Sequence, residues 1–232
     1  IGIGTNTPDH LLDLYKSTET TGTATGTTLQ RLWNYVGGDL QQQKTFIDFV
    51  FQDDNDNQYP QVRIGAEVGQ NGNASSTEKE GSGAFVVYTN NAPNSTPGTN
   101  SLTERFRVDY KGDVGIGTDN PERKLHVQNG SAGTVTSSSE ADLVVESSLD
   151  TAINILSPDS RQSSLYFGSP SDSIGSQLAW KHSTKLLILG TAVTSGGEVV
   201  IKTGNNAEKM RITSAGGISF GSTGTAYGAS GE

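Results

Sequence analysis

Short runs of β-forming residues recur along the whole chain, separated by stretches rich in glycine, proline, asparagine, aspartate and serine. Within these runs apolar and polar positions alternate, or aromatic and β-branched residues follow one another, which is typical of strands. No stretch has the period of an amphipathic helix. The pattern therefore predicts an all-β chain of mainly antiparallel strands. The predicted strands are 45–51, 62–68, 84–88, 104–110, 143–145, 152–156, 165–167, 178–181, 186–189 and 199–202.

Two alternating runs predict which side chains share a face. In Thr28–Val36, Trp33 and Tyr35 fall on one side together with Arg31, and Leu32, Asn34 and Val36 on the other. In Glu104–Tyr110 charged residues alternate with apolar ones, and we expect the charged side chains to point towards solvent.

A glycine-rich motif begins at Ile1 and again at Val114. Both copies have an apolar residue, then Gly-Ile-Gly-Thr, then a proline, and a leucine four residues after it. The shared positions are Gly2, Gly4 and Pro8 in the first copy and Gly115, Ile116, Gly117 and Pro121 in the second. Glycines on one face of a strand are tolerated where another backbone comes close, and proline favours a turn. We interpret the motif as a strand, a sharp turn and a second strand. As a dinucleotide fingerprint it lacks the third glycine and the following helix.

The run before the motif is repeated too, because Glu208–Ile218 aligns with Glu104–Val114. Internal repeats set the architecture. The predicted organisation is a connector at 1–17, a β module at 18–113, a connector at 114–130, a second β module at 131–217 and the start of a third connector at 218–232. Since the chain begins inside a motif copy, we expect it to be part of a longer protein.

This repeated run, from the Glu-Lys/Arg strand through Gly-Ile-Gly-Thr-x-x-Pro to Lys-Leu-x-Val, resembles the connector of bacteriophage tail fibres. It is most similar to fibres of marine phages and to those that end in an intramolecular chaperone peptidase. The stretch Ser164–Gly168 through Leu178–His182 and on to Arg211–Ile212 also resembles such fibre modules. The resemblance implies an elongated parallel homotrimer of small β domains. It implies a virion protein that is made in the bacterial cytoplasm and attaches to a host cell-surface glycan or protein receptor. Similar repeats occur in bacterial surface adhesins, which stay an alternative.

Composition narrows the range of partners. The net charge is −9 and the sequence pI is about 4.8, so a nucleic-acid partner, which requires a basic face, is not expected. No apolar run approaches the length of a membrane span. Only 32% of the residues are hydrophobic and 29 are glycine, which is lean for a chain with a large core of its own. Such a chain can be stable if identical copies share one core.

Candidate catalytic chemistry is sparse, and we expect no enzymatic activity and no cofactor. The histidines are His10, His126 and His182, and no Gly-x-Ser-x-Gly nucleophile elbow accompanies them. A polysaccharide-degrading tail spike, the alternative from another class, would need two carboxylates across a groove. The acidic residues are instead dispersed at turns and strand ends.

Two clusters could bind ligands. Asp53–Asn57 offers oxygen ligands for Ca²⁺ but lacks the glycine and distal glutamate of an EF-hand loop. We interpret it as a hairpin turn and predict no metal site. Trp33, Tyr35 and the nearby Tyr59 could stack on sugar rings, or they could pack in the core or between chains. Trp180 is expected to lie in the core. The loops 17–28, 70–83 and 90–100 are where receptor recognition would vary.

Overall fold

The computed structural model describes residues 2–3, 13–14, 28–36, 40, 42–51, 54, 59–68, 82–91, 101–134, 136–193, 196–221 and 226–227. Every regular element among them is a strand, which confirms the all-β prediction. The chain divides into two compact units, Ile1–Thr151 and Ala152–Glu232. No helix that could cross a membrane is found in the described part of the chain.

The first unit contains a two-stranded sheet and a seven-stranded sheet. The two-stranded sheet pairs β1 (Gly2–Ile3) with β2 (Asp13–Leu14) in parallel. The seven-stranded sheet runs in chain order: β3 (Lys44–Phe49), β4 (Val62–Val68), β5 (Gly83–Asn90), β6 (Leu102–Val108), β7 (Val114–Ile116), β8 (Leu125–Asn129) and β9 (Leu143–Ser147). Strands β3 to β7 are antiparallel neighbours, whereas β7–β8 and β8–β9 pair in parallel.

The second unit contains two antiparallel sheets. One orders β10 (Gln162–Ser169), β11 (Asp172–Lys181) and β12 (Leu186–Thr191). The other orders β13 (Val199–Thr203), β14 (Ala207–Ile212), β15 (Ile218–Phe220) and β16 (Ala226–Tyr227). The stretch 152–156, predicted as a strand, has no strand assignment, although its residues form no turn or bend.

The two sequence copies of the glycine motif have the same strand register. In the second copy Gly115 pairs with His126 and Ile116 with Val127. In the first copy the corresponding residues pair in the same way, Gly2 with Asp13 and Ile3 with Leu14. In the second copy, residues 117–124 connect β7 to β8. This crossover is short, because the connection between two parallel strands usually takes about a dozen residues or more. Gly4 and Pro8 lie outside the described residues.

Close backbone contacts within one chain require glycine at both positions of the second copy. A Cβ at Gly115 would lie 2.5 Å from the Thr118 carbonyl oxygen, and one at Gly117 would lie 2.3 Å from the Gln128 carbonyl oxygen. Gly117 also has a φ of 77°, which favours glycine. Another backbone does come close, as the motif predicts, but it belongs to the same chain. The glycines therefore do not by themselves argue for contact with a second chain.

The run-up repeat is also a structural repeat. In the first copy Phe106 pairs with Ile116 and Val108 with Val114, and in the second Met210 pairs with Phe220 and Ile212 with Ile218. Each copy also has one extra residue that the pairing with the preceding strand skips, Arg105 in the first copy and Lys209 in the second. Gly117 N donates to Arg105 O at 3.0 Å, as Gly221 N does to Lys209 O at 2.9 Å. The repeated unit is thus a bulged three-stranded meander.

The expected outward orientation of the charged residues in 104–110 holds for Arg105, which is exposed, but is wrong for Arg107 and Asp109. Arg107 is 2% exposed and Asp109 is buried as well. The cause is distant in sequence, because a carboxylate from β4 accepts a hydrogen bond from the Arg107 guanidinium inside the sheet. Asp109 is held locally, since its Oδ1 accepts the amides of Lys111 and Asp113 in the turn before β7.

Candidate functional site

The seven-stranded sheet has one face that carries charge. Register pairs and alternation place Lys44, Asp48, Arg63, Glu67, Tyr88, Glu104, Arg107, His126 and Glu146 on it. We call it the charged face. The buried apolar side chains Ala84 and Val86 belong to the same face, and Val86 is 0% exposed. The crossover between β7 and β8 packs there too, because Glu122 N donates to His126 Nδ1 at 3.4 Å and Pro121 is buried.

Arg107 is the centre of this face. Its Nη2 donates to Glu67 Oε2 at 2.7 Å, and its Nε donates to Glu104 Oε1 at 2.6 Å. Burial disfavours the charged guanidinium, but these two hydrogen-bonded carboxylates outweigh it and raise the pKa of Arg107 above its ordinary value. The network continues to Lys44, whose Nζ lies 3.4 Å from Glu67 and donates to the Tyr88 hydroxyl at 2.7 Å. These polar groups bond to one another within one chain, except that Arg107 Nη1 is buried without a hydrogen-bond partner among the described residues.

The opposite face of the same sheet is apolar. It carries Ile47, Phe49, Val62, Ile64, Phe85, Val87, Phe106, Val108, Val114, Ile116, Leu125, Val127, Leu143 and Val145. We call it the apolar face. No charged residue occupies a paired position on it, and Arg105 reaches its margin by donating to Thr89 Oγ1 at 3.2 Å. None of its large side chains is buried, and Phe85 near its centre is 47% exposed.

This arrangement inverts the usual one, in which charge faces water and apolar side chains face a core. Here the described chain buries Glu67, Arg107 and His126 at the middle of the charged face, whereas every large side chain of the apolar face stays at least partly exposed. Contiguous exposed apolar areas above a few hundred Å² mark interaction surfaces in soluble proteins. The apolar face is thus the first candidate functional surface.

The second unit repeats both faces on a smaller scale. Arg211 corresponds to Arg107, and its Nε donates to Glu208 at 2.9 Å as Arg107 does to Glu104. Arg211 also forms an ion pair with Glu198, and the hydrogen bonds to Glu208 and Glu198 raise the pKa of Arg211 above its ordinary value. The opposite face carries apolar residues in the same register, of which Ile201, Ile212, Ile218 and Phe220 are exposed and Val199 and Met210 are half-buried.

The sheet β10–β12 has an apolar face of its own. Register pairs align Leu165, Leu178 and Leu189 across the three strands, and Trp180 lies opposite Leu187 one pair further along. Together with Phe167 these residues define the Trp180 face. All of them are exposed, Leu187 to 71%. Trp180 is itself 40% exposed, so within one chain it does not lie in a closed core.

The aromatic residues proposed for sugar stacking lie at the surface. Trp33 is 76% exposed and Tyr35 is 83% exposed. Leu32, Asn34 and Val36, on the other side of this extended segment, line a cavity of about 350 Å³ together with Thr45, Ala66 and Val68, which register places at the edge of the apolar face. The predicted alternation is therefore present. Tyr59 is also exposed, but among the described residues no ring contact joins it to Trp33 or Tyr35.

The described histidines have structural partners. His126 is 2% exposed, its Nε2 lies 3.0 Å from Glu146 Oε2, and its Nδ1 accepts the Glu122 amide. His182 Nε2 lies 3.2 Å from Ser163 Oγ, which is in turn 2.9 Å from Ser157 Oγ. A serine triad also requires a carboxylate that orients the histidine ring, and among the described residues no carboxylate does this for His182. His10 lies outside them.

No metal centre is formed within the described residues, where histidine and carboxylate side chains do not cluster in groups of three. Of the Asp53–Asn57 cluster only Asp54 is described, in a turn. Most of the three predicted recognition loops also lies outside the described residues.

Comparisons with known protein families and curated proteins found no relative of this chain. No protein-family model matches this chain, and no curated protein is significantly similar to it.

Sequence reasoning missed the two-sided character of the seven-stranded sheet. One signal was present, since the apolar positions of 62–68, 84–88 and 104–110 could be aligned as a single face. The register that aligns them depends on pairs between residues up to forty positions apart, such as Glu67 with Arg107. Such pairs cannot be read from local alternation.

Proposed function

We propose that this chain is a structural and receptor-binding segment of a bacteriophage tail fibre, without enzymatic activity, that works as a parallel homotrimer. The observation that carries the proposal is the apolar face of the seven-stranded sheet, whose large side chains one chain leaves partly exposed while it buries Glu67, Arg107 and His126 on the charged face. The motif resemblance to phage fibre connectors supplies the class of protein.

Identical copies are the partner that this surface fits best. The chain is strongly acidic, so two copies repel each other except through surfaces without charge. The apolar face and its smaller counterpart in the second unit are both such surfaces. A different protein would have to present a matching surface to each unit, whereas a second copy brings both. Around a closed symmetry axis each apolar face then meets its equivalents and forms a shared core.

The test places a charge on the apolar face. Phe85→Glu introduces a carboxylate at its centre, and Tyr110→Glu introduces the same group at an exposed turn outside both sheet faces. Because a charge at an apolar interface must be desolvated, we expect Phe85→Glu to yield monomers and Tyr110→Glu to keep the wild-type mass in sedimentation velocity. Equal masses for both variants would refute the role of this face.

Host attachment is the second part of the proposal, and Trp33 and Tyr35 are its candidate contacts. Exposed aromatic rings on an extended segment can stack on sugars. The double variant Trp33→Ala/Tyr35→Ala should lose binding to host cells or to their surface glycans. Phe51→Ala, which removes another exposed aromatic side chain, should keep it. Release of reducing sugars from host capsule by the wild-type chain would favour the polysaccharide-degrading alternative instead.

A further inference from the structure

Residues Ala152–Ser157, which we call the open segment, have the sequence of a strand but no strand partner. They alternate with β-branched residues at Ile153 and Ile155, and they follow an extended path without turns or bends. No backbone hydrogen bond involves any of them among the contacts of the described residues.

The position of the open segment is fixed at its end. Ser157 Oγ lies 2.9 Å from Ser163 Oγ, and a tight turn follows, in which Arg161 N donates to Pro158 O at 2.8 Å. The chain then enters β10. This is the layout of a hairpin whose first arm does not pair with its second.

The side chains of the open segment lie against the Trp180 face. Ile153 and Ile155 line a cavity of about 200 Å³ together with Leu178, Trp180 and Leu187. The cavity is apolar and open, and Leu156 is exposed beside it. Water could solvate the free amides and carbonyls of the segment, but it would also have to wet these side chains.

We infer that the open segment pairs as a β-strand with a second copy of this chain, so that a sheet continues from one copy to the next and covers the Trp180 face. The inference rests on the proposed self-association and names the backbone that mediates it. An unpaired apolar strand is a template for pairing with another chain.

Two observations favour a second copy over another protein. The exposed parts of the Trp180 face and of the open segment amount to an area on the order of 700 Å² of apolar side chain, taking roughly 150 Å² for each fully exposed one. That approaches the roughly 800 Å² that each partner buries in a stable interface. In addition, the register pairs from Ser163–Trp180 to Phe167–Ser176 and the open segment carry no charged residue, and Asp172 lies at the far end of this side of the sheet, so two acidic copies can meet at its middle without repulsion.

The test combines hydrogen exchange with a proline substitution. In the wild-type assembly alternate amides of 152–157 should exchange slowly, because only every second amide of a strand faces one neighbour, and they should exchange rapidly once dilution separates the copies. Asn154→Pro keeps the extended backbone but removes one amide donor. If the Asn154 amide is among the protected ones, this variant should weaken association by about tenfold or more, since each copy loses a hydrogen bond, whereas Asn154→Ala should not. If the protected set is the other one, Ile155→Pro and Ile155→Ala are the pair to compare.

The outcomes separate this inference from the proposed function. A trimer in which all amides of 152–157 exchange at unprotected rates, or in which proline at a protected position associates as tightly as alanine there, would overturn the strand pairing and leave the fibre proposal intact. Protection of these amides in a monomer would also overturn it, because the pairing would then lie within one chain. A wild-type monomer without protection would refute both.

Discussion

Replacing Arg107 by methionine tests the inverted sheet most sharply. The substitution keeps much of the side-chain volume but leaves Glu67, whose side chain is 2% exposed, without its hydrogen-bond donor at 2.7 Å. Lys44, at 3.4 Å, is then the remaining cation beside that carboxylate. Removing one partner of a buried ion pair costs about 3–5 kcal/mol, because the other charge stays buried. We therefore expect Arg107→Met to destabilise the first unit by about 3 kcal/mol or more.

The repeated meander provides a control within the same chain. Arg211 makes the corresponding hydrogen bonds, but its side chain and that of Glu198 are about a third exposed, at 33% and 31%. Exposed pairs are solvated and contribute little. Arg211→Met should therefore change the stability of the second unit far less than Arg107→Met changes that of the first.

Hydrogen exchange along a urea series measures both effects in the full chain. Peptides from β4 to β6 report on the first unit, and peptides from β13 and β14 on the second. The double variant Glu67→Gln/Arg107→Met should recover part of the loss, since the buried charge is gone. A cost below about 1 kcal/mol for Arg107→Met would refute the buried network, because pairs of that strength are exposed ones. Equal costs for the two arginine variants would refute it as well.

Two further predictions concern the motif and the loop that follows β8. Gly115→Ala should destabilise the first unit by about 1–3 kcal/mol, because the added Cβ would meet the Thr118 carbonyl oxygen. Gly112→Ala should cost less, because nothing lies within 4 Å of its Cβ and only the positive φ opposes the change; urea unfolding of both variants ranks the two costs. Acid should release the loop at Ala132, whose amide donates a hydrogen bond to Glu146 at 2.6 Å. This hydrogen bond and the one from Gln128 lower the pKa of Glu146 below its ordinary value of 4.5. The stability linked to this carboxylate is present above pH 4.5 and is lost as the pH falls further, so amide exchange of this loop should accelerate there in the wild type and be insensitive to that change in Glu146→Gln.

The sequence was sufficient for everything that depends on local pattern. Period-two alternation predicts an all-β chain and the two sides of the Trp33–Tyr35 segment, because side chains of extended backbone alternate whatever lies beside them. The second glycine motif has the strands and the close backbone approach that its residues predict. Internal repetition identified a unit whose hydrogen bonds and bulges recur.

What failed depends on partners distant in sequence. Arg107 was expected in solvent because an arginine between apolar residues usually faces water, and only the strand that carries Glu67 reverses this. The parallel pairing of β7 with β8 follows from a short crossover that no local rule anticipates. The stretch 152–156 has the residues of a strand, but pairing requires a neighbour, and one chain does not supply it.

The mass of the folded chain in solution tests the central claim most directly. Multi-angle light scattering over a concentration series, on the wild-type chain and on Phe85→Glu, gives it without assumptions about shape. The account predicts three times the chain mass of 24.4 kDa for the wild type and a single chain for Phe85→Glu. A folded wild-type monomer at all concentrations would contradict it.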